Sequence, residues 1–390
     1  MDFGFGDDLE ALRKEVRAFL DVHLTPEIHE RMERTGTHHD AAFSRALGSR
    51  GWIASGWPVA EGGGGRDWLE QQVINHEFSR AQAPTAAIST TMLVANTLRI
   101  WGTDAQKDAV LPGVVGGEIQ ICLGYSEADS GSDVAAARTR AVRDGDEWVI
   151  NGEKMFTSLA QVADYVFILT RTNTEVKKHR GLTMFLVPMT TPGITVSEVR
   201  TLGGERTNIT SYQDVRVPDT ARVGTVDGGW AVVASALEFE HAASFATEID
   251  RVLKVAVEEA SRPGPDGTRL LDDAAVRVRL ARMAVDVEVS DLLGLNAGWM
   301  YSVGAHPVAE GPMAKVYSSE AFARACGDAL AMFGPAGLEQ GDGLGDSGLG
   351  VIEHALRHSQ VTRIYAGTSE IQRSIIAERG LGLPRTRSAS

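Results

Sequence analysis

The chain has 390 residues, of which 43% are hydrophobic and 23% charged, and its formal net charge is −14. That length supports two or three domains with large cores, and the acidic balance, with no cluster of Lys and Arg, argues against a nucleic-acid binder. No apolar run approaches the ~20 residues that span a bilayer, and MDFGFGDDLE lacks a signal-peptide pattern. Cys122 and Cys326 are far apart and without metal spacing, so the expectation is a reduced, cytoplasmic protein with no membrane and no nucleic-acid partner. Arg385 and Arg387 read as a frayed tail.

Residues 1–120 read as helical. In DDLEALRKEVRAFLDVHL, the residues Leu9, Leu12, Val16 and Leu20 recur at helical spacing. AEGGGGRDWLEQQVINHEFSRA joins a glycine-rich loop to a second amphipathic helix. Gly62 to Gly65 could be mistaken for a phosphate cradle, but no Lys-Ser or Lys-Thr follows and no strand precedes, so a loop is expected.

From about Ile119 to Val223 the pattern changes to alternation with β-branched and aromatic residues. EWVINGEKMFTS, DYVFILTRT, GLTMFLVPM, GITVSEV and SYQDVRVP read as strands. Asp144-Gly145, Asn151-Gly152 and Pro192-Gly193 read as turns between them. Residues 121–225 are therefore expected to form an antiparallel sheet or barrel. Helix returns at Gly228-Gly229-Trp230 and fills residues 226–390. In DDAAVRVRLARMAVDVEV, Asp272 or Asp273 can cap a helix carrying Val276, Leu280, Met283 and Val287 on one face. GPAGLEQGDGLGDSGLG reads as one long loop without a dinucleotide-binding pattern. The fold class that results is mainly α with a central antiparallel β domain.

Three motifs bear on chemistry. His354 and His358 lie four apart in HALRH, but the glutamate of a zinc helix and a third ligand are missing, so no metal is expected. GYSEADSGSD, Gly124 to Asp133, is a polar loop of small residues where the helical region gives way to the sheet. RIYAGTSEIQRSIIAERGLG, from Arg363, is a tight loop entering a helix. Gly367 allows the turn, Thr368 or Ser369 can cap, Glu370 suits the helix dipole, and Ile371, Ile375 and Ile376 share a face. The tip of that loop is Ala366, a methyl group where a chemical group would be expected.

These stretches, with WGTDAQKDAVLPGVVGGEIQICLG, AVRDGDEWVINGEKMFTS and GLTMFLVPMTTPGITVSEVRTLGGERTNITSYQDVRVP, resemble the acyl-CoA dehydrogenase family over nearly the whole chain. The resemblance implies an N-terminal helical domain, a β domain and a C-terminal four-helix bundle, usually assembled as a homodimer or homotetramer. It implies FAD, an acyl-CoA substrate and an acceptor such as an electron-transfer flavoprotein. In the family a carboxylate removes the α-proton of the thioester while the β-hydride goes to the flavin, in lipid metabolism.

By position in the family, Leu123, Ser126, Phe156, Thr157 and Ser158 face the flavin, with Phe156 covering its rings. Ser132 falls near the pantetheine arm, and Gly367 and Thr368 reach the cofactor. Many members carry the catalytic glutamate at the position of Ala366. Others carry it on an early helix of the C-terminal domain, where this chain reads SALEFEHAASFA. Glu240 matches that position, and Glu238 should point elsewhere, since near neighbours on a helix do not share a face. The backbone N–H of Ala366 keeps the family's role of holding the thioester oxygen, together with a ribityl hydroxyl of FAD.

The chain departs from the family pattern in three places. His241 stands where an arginine often follows the base, as a substrate-binding candidate. The Arg-x-x-Phe-Gly segment that holds FAD across a subunit interface is absent, with Arg277 and Arg279 as candidate substitutes. Ala331 replaces a glutamine before the glycine loop, where Gly334 and Gly337 remain as cofactor-binding candidates. Three readings follow: an FAD-dependent acyl-CoA dehydrogenase with Glu240 as base, acting on a branched or bulky acyl group; a flavin-dependent oxidase or monooxygenase of secondary metabolism on the same fold; and a non-catalytic partner subunit of a heteromer.

Overall fold

The computed structural model describes residues 6–238, 244–305, 307–338 and 348–385. The chain forms two compact units, one of residues 1–201 with 205–240 and one of 202–204 with 241–390.

The first unit opens with α1 (Asp7–His23), α2 (Pro26–Thr35), α3 (Ala41–Ser49), α4 (Trp68–Arg80), α5 (Ala86–Trp101) and α6 (Asp104–Val115). Leu12, Val16 and Leu20 bury the face of α1 that the periodicity marks, against Phe43, Trp52, Ile74 and Phe78. Asp67 and Thr103 begin α4 and α6 with reciprocal caps, each paired with the residue three positions on, which satisfies amides the first helical turn leaves open.

The sheet follows, with β1 (Ile121–Gly124), β2 (Arg140–Asp144), β3 (Glu147–Lys154), β4 (Tyr165–Arg171), β5 (Leu182–Pro188), β6 (Ile194–Arg200), β7 (Arg206–Pro218) and β8 (Arg222–Val223). These make one eight-stranded sheet in the order β6-β7-β3-β2-β4-β5-β8, with β1 beside β4. The hairpins β2–β3, β4–β5 and β6–β7 are antiparallel, as expected, but β1 runs parallel to β4. The sheet is therefore mixed. Four residues of unbroken apolar sequence carry no alternation to announce β1, and it pairs with a strand that comes well after it in the chain.

Both faces of β4 and β5 are covered. Phe167, Leu169, Leu182 and Met184 pack with Leu93, Val94 and Leu98 of α5 and with Val232, Val233 and Ala236 of α7 (Gly229–Glu238). Val166, Ile168, Phe185 and Val187 pack on the opposite face with Trp148, Ile150, Tyr212 and Val215. Double burial explains why these strands read as continuous apolar runs. Asn151-Gly152, expected as a turn, lies inside β3 opposite an extra residue of β7, where Asp214 takes φ +50°. The register with β7 shifts between Ile150 and Gly152, and Gly152 takes φ +146° beside Thr139.

The second unit is helical: α8 (Ala246–Ser261), α9 (Ala274–Ser302), α10 (Glu310–Phe333), α11 (Leu349–Thr362) and α12 (Ser369–Ile375). Asp273 caps α9 by accepting from the Ala275 amide at 2.8 Å. Val276, Leu280 and Met283 are buried as their spacing requires, against Ile249, Val252, Phe322 and Ile352. The described part of the expected long loop begins as a short 3₁₀ turn, Gly334–Leu338. Of the isoleucines expected to share a face, Ile375 and Ile376 are only half-buried. Ile371 is exposed, and the fully buried side chain is Gln372, which has a loop carbonyl to hold (below).

Among the described residues no helix is long and apolar enough to cross a membrane. Both cysteines are buried, and burial pushes each thiol up to about 12, which leaves them unreactive. Phe167, without solvent exposure and with its ring centre 6.2 Å from that of Tyr125, sits where α5, β4 and β5 meet. Phe167→Ala is expected to destabilise the first unit by roughly 3–5 kcal/mol, read as a lower denaturation midpoint with little change in slope.

Candidate active site

In the first unit the polar loop Gly124–Asp133 is held from beneath by a buried ion pair. Lys154 ends β3 on the inward face, in phase with Trp148 and Ile150, and has no solvent exposure. Its Nζ donates to Glu127 Oε1 at 2.7 Å and to the Tyr125 carbonyl at 3.2 Å. The Glu127 carboxylate also accepts from the amides of Thr139 at 2.9 Å and Arg138 at 2.7 Å. Glu127 and Ser130 exchange backbone hydrogen bonds, and the Met155 amide donates to the Ser126 carbonyl at 2.9 Å. The loop is thus a rigid shelf that carries Ser126, half-buried, and Ser132, exposed, at the end of β1, where Leu123 is half-buried. Burial alone would raise the Glu127 carboxyl, but Lys154 and the two amides outweigh it and hold it below its ordinary value. Burial pushes Lys154 down to about 8 against the pull of Glu127.

Beside this shelf the chain leaves β3 through Phe156, Thr157 and Ser158. Thr157 is fully buried, and its amide donates to the Asn208 carbonyl at 2.8 Å. The Asn208 side-chain amide returns a bond to the Thr157 carbonyl at 3.0 Å and a second to Gln161 Oε1 at 2.7 Å. Ser158 is exposed with its hydroxyl 3.0 Å from that of Thr207. Before them Phe156 adopts φ +58° and is 61% exposed. A side chain in the left-handed region costs about 1–2 kcal/mol, and showing an aromatic ring to water adds to that. Thr157 is locked in the core so that Phe156 and Ser158 stand out from it.

In the second unit, α11 ends at Thr362 and α12 starts at Ser369. Thr368 is the cap, accepting from the Ile371 amide at 3.2 Å. Ala366 and Gly367 both have positive φ, +53° and +81°. A side chain at Gly367 would meet Gln372 Nε2 at 2.6 Å, so the turn needs glycine there. Gln372 donates to the Ala366 carbonyl at 2.8 Å. Lys315, without solvent exposure, donates to the carbonyls of Thr362 at 2.8 Å and Gly367 at 2.9 Å. The Ala366 N–H donates to no group among the described residues. The loop therefore presents an open amide donor and no acid.

The remaining sequence candidates divide. Glu240 and His241 lie outside the described residues. Gly334 takes φ +55°, ψ −138° as the C-cap of α10, a region open essentially to glycine alone; Gly337 is buried under Leu330 and Phe333. Arg277 is committed to the carbonyls of Leu271 at 2.9 Å and Asp272 at 2.7 Å, and Arg279 is paired with Asp328. Gly62, Gly63, Gly64 and Gly65 donate their amides to the carbonyls of Val59, Pro58, Ala54 and Trp57, which leaves no cradle for a phosphate. His354 and His358 stack at 6.4 Å, and no cluster of metal ligands occurs among the described residues. On α8, Glu248 Oε2 is buried with no hydrogen-bond partner among the described residues, and burial raises its carboxyl against the pull of Arg251 and His358.

Glu127, Lys154, Asn208, Lys315 and Gln372 carry the supports and were not singled out from sequence. For Lys154 a signal existed, because a lysine in phase with Trp148 and Ile150 has to bring a partner inside. Glu127→Gln leaves the Lys154 ammonium buried and uncompensated, and is expected to cost about 3–5 kcal/mol. The double variant Glu127→Gln/Lys154→Met should recover most of that loss. Because Glu127 titrates lower in the folded than in the unfolded chain, its contribution is complete above the ordinary value of 4.5 and is lost as pH falls below it. The acid limb of a stability–pH curve should accordingly be shallower in the double variant than in the wild type.

Comparison with known proteins bears on the family. The models of the N-terminal, middle and C-terminal domains of acyl-CoA dehydrogenase match residues 6–118, 122–215 and 227–381. The acyl-CoA dehydrogenase FadE26 of Mycobacterium tuberculosis is 36% identical, over 99% of this chain and 99% of its own. The crystal structure of the ChsE4-ChsE5 complex from the same organism superposes with a TM-score of 0.89 at 35% identity, over 99% of this chain and 100% of that one. The Tcur3481-Tcur3483 steroid ACAD structure superposes with a TM-score of 0.88 at 34% identity, over 99% and 100%. With all three domain models matched in order, the chain belongs to the acyl-CoA dehydrogenase family, enzymes that are FAD flavoproteins of lipid metabolism.

Proposed function

We infer that this chain dehydrogenates the α,β-bond of a bulky, steroid-type acyl-CoA thioester, with Glu240 as the base and FAD as the hydride acceptor. The observation that carries the reading is Ala366. Proton abstraction needs a carboxylate within hydrogen-bond reach, and the loop that could supply one supplies a methyl group and a free N–H. The α-proton beside a thioester is weakly acidic, so a donor aimed at the carbonyl oxygen stabilises the enolate-like charge as it forms. The Ala366 N–H has that role, and Glu240 takes the proton. With only a methyl at position 366, room remains beside the reacting carbons for a branched or ring-bearing acyl group. The likeness to the Tcur3481-Tcur3483 steroid ACAD supports that choice of substrate.

The residues of the first unit suit a flavin. A flat, partly apolar ring system with polar edges suits an exposed Phe156 ring together with Ser158 two residues on and Ser126, whose carbonyl holds the Met155 amide. A strained aromatic held out of a core is an outlier that asks for a ligand. Leu123 and Thr157 would line the same segment and Ser132 the pantetheine arm; Gly367 and Thr368 are the second unit's own cofactor-binding candidates. FAD supplies the hydride acceptor; the chain supplies position, base and oxyanion donor.

Arg277 and Arg279, offered for the FAD adenosine, already serve a helix start and Asp328. We therefore read the adenosine contacts as coming from another chain, in a heteromer like the ChsE4-ChsE5 complex. Electron-transfer flavoprotein is the proposed acceptor.

Purified alone, the chain should hold well under one FAD per polypeptide, and co-purification with its partner chain should restore a yellow protein. Steroid-type acyl-CoA esters should then bleach the flavin anaerobically. A folded complex that takes up no FAD would end this reading, and rapid oxygen consumption with substrate would favour an oxidase. Ala366→Glu should lower kcat/KM for bulky esters first. The added carboxyl narrows the pocket, a difference of about 1–3 kcal/mol per methylene, and like charges raise a pKa in a dry site. Equal losses on straight and bulky esters would show that position 366 does not set pocket width.

A further inference from the structure

We propose that Lys315 is a positioning residue for the oxyanion donor: its buried ammonium fixes the Ala366–Gly367 turn so that the Ala366 N–H stays aimed outward. The inference rests on the dehydrogenase reading for its catalytic consequence, but the structural tie stands by itself.

Lys315 lies on α10 with no solvent exposure. A charged group is costly to bury unless it is paired or hydrogen-bonded, and this one is bonded to backbone. It donates to Thr362, the last residue of α11, at 2.8 Å and to Gly367 at 2.9 Å. The first is a carbonyl that the helix end leaves without an intrahelical partner, at the negative end of the helix dipole. The second belongs to the residue just after Ala366. One cation thus pins both ends of the turn. Its Nζ also stands 6.0 Å from the centre of the Tyr365 ring, so each residue flanking Ala366 is tied to the same ammonium.

The turn needs such a tie. Ala366 and Gly367 are both at positive φ, and alanine is strained in that conformation where glycine is not. Gln372 holds the Ala366 carbonyl from the other side, and the Ser369 amide closes on the Arg363 carbonyl at 3.0 Å. The carbonyls of Ala366 and Gly367 fix the two peptide planes that follow the Ala366 N–H, and the Tyr365 amide, bonded to the Val361 carbonyl at 3.2 Å, fixes the plane before it, so the plane that carries the Ala366 N–H is bounded on both sides. Bonds from an ammonium to carbonyls are charge-assisted and short, so a neutral side chain of the same length cannot replace them. An oxyanion donor acts through placement, and loss of one typically costs about 10²–10³-fold in kcat.

The test is Lys315→Met in the FAD-loaded complex, with Lys254→Met as control. Lys254 forms an exposed pair with Asp250 on α8 and loses the same charge far from the turn in sequence. In Lys315→Met, kcat for flavin reduction should fall at least ~30-fold with KM within about threefold, and FAD content should be unchanged. The carbonyl stretch of an isotope-labelled bound thioester should move back toward its frequency in water. Amide hydrogen exchange across 364–368 should quicken by about tenfold or more, and should stay at the wild-type rate in Lys254→Met. Gln372→Met, which removes the opposite tie, should change the same quantities in the same direction if Lys315→Met fails to fold. Unchanged exchange and an unchanged carbonyl stretch in a folded Lys315→Met would overturn the proposal. A wild type that oxidises no acyl-CoA would instead end the dehydrogenase reading, while the exchange comparison would still decide the tie.

Discussion

The turn between α11 and α12 sets the terms for the chemistry. Two consecutive residues at positive φ bring a backbone N–H to the tip, and Ala366 carries no acid there. A dehydrogenation that begins by removing an α-proton then requires its carboxylate from elsewhere in the chain, while on the proposed reading the Ala366 N–H keeps the electrophilic role. On the proposed reading those two tasks are separated, with the donor on this loop and the base at Glu240, and the separation bears on which acyl groups fit.

Each unit supports its candidate loop with a buried lysine. In the first, Lys154 reaches under the Gly124–Asp133 shelf to a carboxylate and a carbonyl. In the second, Lys315 reaches under the Ala366 turn to two carbonyls. An ammonium on a long stem is suited to this work. It carries three donors and pulls together groups that a helix end or a polar loop would leave without partners. The loops therefore take their shape from core residues as well as from their own glycines. A loop that must hold a strained Phe156 or a left-handed Ala366 needs such anchorage, because strain survives only where the surroundings over-determine it.

Much of the architecture was legible in the sequence because burial leaves a period. Leu12, Val16 and Leu20 marked α1, and Val276, Leu280 and Met283 marked α9. Strands β4 and β5 announced themselves as apolar runs because both their faces are covered. What escaped had no period or carried a misleading one. Strand β1 was too short to alternate, and Asn151-Gly152 has the composition of a turn but runs through β3 opposite the extra residue of β7. The isoleucines of α12 promised a buried face, while Gln372 took the core position to bond the Ala366 carbonyl. The candidate site was legible as far as its motifs reached. The family resemblance pointed to Phe156, Ser158 and Ala366, but their supports could be seen only once Lys154 met Glu127 and Lys315 met Gly367. Those contacts join residues distant in sequence.

The central claim is that the α-proton leaves to Glu240. The direct measurement is exchange of the substrate's α-deuterium with solvent in the FAD-loaded complex, for wild type, Glu240→Gln and Glu248→Gln. The buried Glu248 carboxyl is the rival, raised above its ordinary value by burial. The account predicts that Glu240→Gln keeps its FAD and loses exchange by about a hundredfold or more, while Glu248→Gln stays within a few-fold of wild type. Exchange that survives in Glu240→Gln and vanishes in Glu248→Gln would contradict it.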